Sequence, residues 1–261
     1  MRLLVSGGRD FDDVDFIVKH LNRLNKSRTI TSVVYGAARG VDTICGFWAY
    51  EMDGIEPIAV PAEWHDQNGN FDRGAGHKRN QRMLDEFRPD ALFAFPGGKG
   101  TADMVRRATK VLPEIWQSDW IYFKKESPEH GFMSNFANGF GFTDDDGIEW
   151  NTSEHYYQAM KSSIESEQDY VRGAPDAFHA KKRGSEINIT TDWSHRKIDV
   201  MRRVLGYKFA SGTAAAGLLK ETGIDYLVEW APWGDTFWGV DSTKRGQNWL
   251  GRLLIDQRDK L

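Results

Sequence analysis

The sequence predicts two folded modules in series: an α/β domain built on a doubly wound parallel sheet, then a compact, mainly helical α+β domain. Three observations carry this prediction. Short apolar runs alternate with amphipathic stretches up to about residue 115, and glycine-bearing turns follow three of those runs. The alternation then stops, and seven of the ten tryptophans fall beyond residue 118. The boundaries read this way are 1–115 and 120–261, with "LPEIWQSDW" as the junction.

Each element follows from its own pattern. "RLLVSGG" is an apolar strand trailed by the amphipathic "DDVDFIVKHLNRLN", and "TSVVYGAA" leads into "GVDTICGFWAYEM". "EPIAVPA" runs through a loop into "AGHKRNQRMLDEF", and "ALFAFPGG" into "GTADMVRRATKV". Four apolar strands with intervening helices specify parallel crossovers that cover both sheet faces. Beyond the junction, "WIYFKK" reads as a strand and "HGFMSNFANGFGFTDDDGIEW" as loop and hairpin. "TSEHYYQAMKSS" reads as a helix capped by Ser153. Further helices are expected at "APDAFHAKKRG", "SHRKIDVMRRVLGYKFA" and "AAAGLLKET", then a strand "YLVEW", a Trp-rich turn and a closing helix "NWLGRLLIDQRDK".

Composition narrows the function classes. With 261 residues, 40% hydrophobic and 28% charged, the chain has a soluble composition with ample core. No run of 18 apolar residues exists and the first residues lack an apolar leader segment, so no membrane association is expected and the setting read is cytoplasmic. The single Cys45 excludes an internal disulfide or a cysteine-built metal cluster, and it reads as buried and inert. Net charge is −4, with 16 acidic and 16 basic residues up to position 118 against 22 and 18 beyond it. That balance disfavours long nucleic-acid tracts and suits a nucleotide-sized ligand. Neither a metal nor a cofactor is expected.

A first candidate site comes from the turns. Gly7, Gly8 and Arg9 lie in "GGRDF", Gly36, Arg39 and Gly40 in "GAARGVD", and Gly97, Gly98, Gly100 and Thr101 in "PGGKGT". In open α/β sheets, ligands bind beyond the carboxyl ends of the strands, where glycines let backbone approach a phosphate at a helix N-terminus. Three such turns on one edge point to a nucleotide or phosphosugar, although none is a G-x-G-x-x-G fingerprint or a Walker loop. Together with "AGHKRNQRM", which holds Arg79, these stretches resemble the SLOG superfamily, the Rossmann-like fold shared with the LOG phosphoribohydrolases. In LOG enzymes the pattern PGGxGTxxE ends in a catalytic Glu; here Met104 occupies that place, preceded by Asp103. The resemblance therefore implies binding of a nucleotide or ADP-ribose-like ligand rather than hydrolysis.

A second candidate site lies in "SEHYYQAMK". As a helix it puts Glu154, Tyr157, Gln158 and Lys161 on one face, with Glu154 and Lys161 about 10 Å apart along the axis. The competing reading is a capped surface helix with a solvated lysine. "GFMSNF", "EWNTSEHYYQAMKS", "DWSHRKIDVMRRVLGYKFA", "LLKETG", "LVEW", "GDTFWGV" and "GQNWLGRLL" together resemble the NADAR (YbiA-like) family in order and approximate spacing. That family comprises N-glycosidases, acting on ribosylated pyrimidine intermediates of riboflavin synthesis or on ADP-ribosylated guanine. The resemblance implies cleavage of a C–N bond at a ribose anomeric carbon.

Such cleavage develops positive charge on the ribose, so it calls for a nearby carboxylate and for an acid to protonate the departing base. Glu154 and Asp235 are the candidates. Lys161, desolvated among aromatics, would attack C1 and form a Schiff base with the ring-opened sugar, a role the resemblance assigns to this lysine. Trp238 and Phe136 would stack the base, Tyr157 would line the site, and Asn135 and Asn248 would hydrogen-bond. Blander readings stand beside these: Asp235 as a turn former, Trp233 and Trp249 as core, His155 as a structural hydrogen-bonder. "DDDG" reads as a hairpin loop and "KKR" at 181–183 as a solvated face.

The function expected is hydrolysis of an N-glycosyl bond between ribose or ADP-ribose and a base. The partners expected are a nucleotide or an ADP-ribose-containing small molecule, with ADP-ribosylated nucleic acid and a homo-oligomer both compatible. Two alternatives stay open: a sensor that binds an NAD-derived nucleotide without turnover, and a phosphoribohydrolase in the first module.

Overall fold

A computed structural model describes all 261 residues and divides them into two compact units, Met1–Asp119 and Trp120–Leu261. In the first, the elements are β1 (Arg2–Ser6), α1 (Val14–Arg28), β2 (Ser32–Tyr35), α2 (Val41–Glu51) and β3 (Glu56–Ala59). They continue through α3 (Ala75–Phe87), β4 (Ala91–Ala94), α4 (Lys99–Ala108) and β5 (Glu114–Gln117). All five strands are parallel in the order β3-β2-β1-β4-β5, so the chain winds outward in both directions from β1. Leu3 sits in register between Val33 and Ala91, at the centre of the apolar sheet. Leu4, Val34 and Leu92 pack with Met83 of α3 and Met104 of α4 on one face. On α1, Phe16, Ile17, His20, Leu21 and Leu24 form the buried stripe, and Asp13 caps the helix by accepting the Phe16 N–H.

The apolar runs of the sequence indicate four strands and a module ending at 115. The "EIWQ" segment is instead a fifth strand in register with β4, Phe93 facing Trp116, and the unit runs on to Asp119.

In the second unit, β6 (Trp120–Phe123) is followed by a 3-10 turn (Gly131–Met133), the antiparallel pair β7 (Phe142–Thr143) and β8 (Glu149–Trp150), and α5 (Ser153–Ala159). Then come α6 (Glu165–Arg172), α7 (Ala177–Arg183), α8 (Trp193–Lys208), α9 (Ala214–Glu221), β9 (Tyr226–Glu229) and α10 (Trp249–Arg258). β6 and β9 pair in parallel, Phe123 opposite Glu229, and α10 packs against β9. α5 lies against α6, α7 and α8. The 144–147 segment is the hairpin turn expected: Asp144 accepts the N–H groups of Asp146 (3.1 Å) and Ile148 (2.9 Å) and the Trp150 indole (2.8 Å). α6 has no counterpart in the sequence reading; its only buried residue is Val171, too little apolar periodicity to announce a helix. No helix of the chain is long and apolar enough to cross a membrane.

Candidate active site

The second unit is built around α5. Thr152, not Ser153, is the N-cap: its hydroxyl accepts the His155 N–H at 3.4 Å and meets the His155 Nδ1 at 2.8 Å. Such caps contribute about 1 kcal/mol. His155 Nε2 contacts the Ala174 carbonyl at 3.2 Å, so both ring nitrogens serve structure, in agreement with the sequence. All seven residues of α5 are buried, which rules out a surface helix. The helix stops at Ala159, so Lys161 does not lie on its face. Its backbone N–H bonds the Gln158 carbonyl at 3.3 Å and its Nζ reaches the Gly184 carbonyl at 3.4 Å.

Glu154 is 5% exposed and accepts a hydrogen bond from Gln158 Nε2 at 2.7 Å. Burial pushes its carboxyl above the usual carboxylate range, against the Gln158 hydrogen bond and the charges of Lys181 and Lys161, and with Asp235 adding to the rise. Burial likewise lowers the Lys161 ammonium, with Glu154 opposing and Lys181 assisting. Asp235 follows Gly234 in the loop after β9, and its Oδ1 accepts the N–H groups of Phe237 (3.1 Å) and Trp238 (3.0 Å). It forms the turn, yet its charge also acts on Glu154 and Tyr157.

Tyr157 sits edge-on to Trp238 with centroids 5.5 Å apart and lies 5.1 Å from Trp193. Burial and the Glu154 charge push its phenol far up, so it stays protonated. Asn135 is buried; its carbonyl accepts the Glu154 N–H at 3.0 Å and its Nδ2 meets Met201 Sδ at 3.5 Å, leaving Oδ1 without a partner. Phe136 lies beneath the Lys181 ammonium at 5.8 Å. Lys208, fully buried between Phe140 and Phe209, donates to the Ser134 carbonyl at 2.9 Å and so braces the segment that carries Asn135 and Phe136. Burial alone lowers its ammonium to about 7.

Three sequence assignments change here. Asn248 is committed to the fold: Nδ2 donates to the Leu227 carbonyl (2.8 Å) and Oδ1 accepts the Glu229 N–H (3.1 Å), which fixes β9. Trp233 is 66% exposed, so it is not core. The 181–183 stretch is not merely solvated, because Lys181 acts on Glu154, Lys161 and Glu229. Sequence reasoning also missed Glu229 itself, at the end of β9. Burial, Asp235 and Glu154 push its carboxyl up to about 8 against the pull of Lys181. The only sign of it in the sequence is an acid closing the apolar run "YLVEW".

On the first unit, the three turns gather at the carboxyl edge of the sheet and interlock. Gly8 N–H donates to the Pro96 carbonyl at 2.9 Å, and the Val41 N–H to the Gly8 carbonyl at 3.3 Å. Gly40 has φ +76°, and a Cβ there would lie 2.4 Å from the Gly8 carbonyl. Cβ atoms on Gly7, Gly36 and Gly97 would collide with Val41, Arg79 and Thr101, so these glycines serve internal packing. Gly98 and Gly100 alone among the candidate glycines face open space. Arg79 hydrogen-bonds the Gly36 carbonyl, and exposed Arg39 pairs with Asp10 at 2.5 Å. Arg9 lies 5.8 Å from the Trp64 ring. α2, α3 and α4 begin without side-chain caps, leaving first-turn N–H groups at this edge. Met104 is buried, and Asp103 is engaged by Asn80, His77, Arg106 and Arg107. Although burial opposes it, those partners hold the Asp103 carboxyl well below the usual range. Cys45 is buried, with its thiol pushed up. No group of His, Cys, Asp and Glu side chains is arranged to hold a metal ion.

A doubly wound nucleotide-type sheet followed by a helical unit with a buried carboxylate–lysine cluster defines the class. Residues 121–261 match the family described as the NADAR domain, and residues 1–66 match the YspA, cpYpsA-related SLOG family. The chain belongs to the NADAR family. It is similar to the N-glycosidase YbiA of Escherichia coli, 32% identical over 152 residues, covering 58% of this chain and 93% of that protein. It also matches a riboflavin biosynthesis protein of Vibrio vulnificus, 36% identical over 143 residues, and the chloroplastic riboflavin biosynthesis protein PYRR of Zea mays, 31% identical over 174. These matches span 54% and 60% of this chain but only 38% and 28% of those two proteins. The NMR structure of E. coli YbiA aligns with 33% identity over 54% of this chain and 83% of that one, at a TM-score of 0.49.

Proposed function

We propose that the second unit is an N-glycosidase that hydrolyses the bond between a ribosyl group and a base. The observation that carries this reading is the cluster around Glu154: its buried carboxyl feels both Lys161, whose amine is lowered by burial, and Asp235, beside the aromatic wall of Tyr157 and Trp238. Lys161 Nζ attacks the anomeric carbon, Asp235 stabilises the positive charge that develops there, and Glu154 takes the proton that the amine releases. Water then hydrolyses the sugar–lysine bond. The name of the E. coli relative supports the reaction class, and the aromatic wall supports a planar leaving base.

The favoured substrate is ADP-ribosylated guanine or a related ADP-ribosyl or ribosyl-phosphate conjugate. The first unit binds a nucleotide at its glycine edge, where Gly98 and Gly100 leave the α4 N-terminus open. A hydrolase in that unit is not favoured, since the one carboxylate near the position is tied up by four partners. The deciding experiment incubates the purified chain with ADP-ribosyl-guanosine and, separately, a ribosylaminopyrimidine phosphate, and follows free base. Release from the first alone supports the favoured substrate, and release from the second alone moves the assignment to the pyrimidine class. No release from either leaves a binding protein.

A further inference from the structure

We propose that Glu229, where β9 ends against Glu154 and Asp235, is the general acid that protonates the departing base; this rests on the N-glycosidase reading above.

The backbone of Glu229 is clamped from three sides. β6 pairs alongside it at Phe123, its N–H donates to Asn248 Oδ1 at 3.1 Å, and its carbonyl accepts the Val240 N–H at 2.9 Å. The clamp closes because residue 239 is glycine: a Cβ there would lie 2.5 Å from the Glu229 carbonyl oxygen and 3.1 Å from the Glu229 Cβ. Tyr226, Leu227 and Val228 are buried and Glu229 is partly exposed, so the strand delivers a carboxyl to the margin of the core. Its neighbours in the cluster hold their carboxylates with hydrogen bonds, Glu154 from Gln158 and Asp235 from two backbone amides. Glu229 receives none from the protein, which leaves its carboxyl free to donate.

Charge balance explains why this group keeps a proton. The charged groups that act on it are Glu154 from α5, Asp235 from the loop after β9, and Lys181 from α7. Glu229 thus meets two carboxyls and one ammonium, so the cluster is relieved by one retained proton. Burial and the two like charges place it on Glu229, at about 8. A neutral carboxyl at pH 7 is what a general acid requires.

The step balances without a further reactant. The C1–N bond breaks with its electron pair on the base nitrogen, and that nitrogen takes the Glu229 proton. The Lys161 lone pair forms the new bond to C1, and Glu154 accepts the proton lost from Nζ. Water later supplies the oxygen at C1 and returns the amine, and the proton on Glu154 restores Glu229.

The test compares two leaving groups. A ribosylated guanine or aminopyrimidine must be protonated as it leaves, whereas nicotinamide mononucleotide, a ribosyl pyridinium, releases an already neutral base. Glu229→Gln is expected to lose roughly 10²- to 10⁴-fold in kcat on the first kind. On the pyridinium it should stay within about threefold of wild type, because a general acid contributes only where a proton is transferred. In the wild type, kcat/KM on the first kind should fall as pH rises through about 8, and Glu229→Gln should abolish that limb. Equal losses on both substrates, or an alkaline limb that survives in Glu229→Gln, would overturn the assignment. Should the Gln variant fail to fold, Glu229→Asp keeps the acid and the wild-type pH profile still decides. A wild type that releases base from neither substrate removes the glycosidase reading, and this assignment with it.

Discussion

At the scale of single residues, the proposed reaction turns on an amine and a set of carboxyls held in different environments. Lys161→Arg keeps a positive charge but cannot supply a free amine near neutral pH, because guanidinium stays protonated. It is expected to fold, to bind substrate and to lose turnover, and borohydride should trap a sugar adduct on wild-type Lys161, read by mass spectrometry. An active Arg variant together with no adduct would return Lys161 to a structural role. Asp235→Asn keeps an oxygen for the Phe237 and Trp238 amides while removing the charge, so the loop should survive. Steady-state kinetics should show turnover lower by about two orders of magnitude or more, and near-normal rates would reduce Asp235 to a turn former. Glu154 and Lys161 were legible because they share one motif. Glu229 and Lys181 were not, since each stands in a stretch with an ordinary explanation, a strand end and a basic helix face. Their meeting depends on a fold that local patterns do not express.

Among the elements, four βα units could be read from composition because their strands are short apolar runs and three of the turns after them carry glycine. β5 was hidden: "EIWQ" has two apolar residues, and only its pairing with β4 makes it a strand. The end of α5 is equally hard to see, because polar residues continue past Ala159 with no glycine or proline to mark a stop. The purpose of the glycines was only half visible, since contact distances separate those that pack from those that open. A clean prediction for α4 results. Gly98 has φ −115° and nothing within 4 Å of an added Cβ, so Gly98→Val should fold normally. It should weaken nucleotide binding by the first unit, measured by calorimetry, while glycosidase turnover is unchanged. Equal affinity for wild type and variant would place the ligand elsewhere.

For the whole molecule, the two units have separate cores, and every residue proposed for catalysis lies in the second. Residues 120–261 expressed alone should therefore fold and release free base at a rate close to that of the full chain. A folded but inactive fragment would show that the first unit supplies part of the machinery. The parallel pairing of β6 with β9 carries a last consequence, for synthesis. In the first unit β1–β2, β2–β3 and β4–β5 each pair across a single helical crossover, and only β1–β4 joins distant residues, Leu3 with Ala91. Most of the sheet can therefore assemble as the chain emerges from the ribosome. β6 is made at the start of the second unit, but its partner appears only with Tyr226–Glu229. Throughout that interval "WIYF" emerges as an unsatisfied apolar edge, the feature by which nascent chains attract chaperones or one another. Nascent chains halted before Tyr226 should carry a protease-resistant first unit and a protease-sensitive remainder, and the machinery for cleaving a glycosidic bond should come into being in one late event.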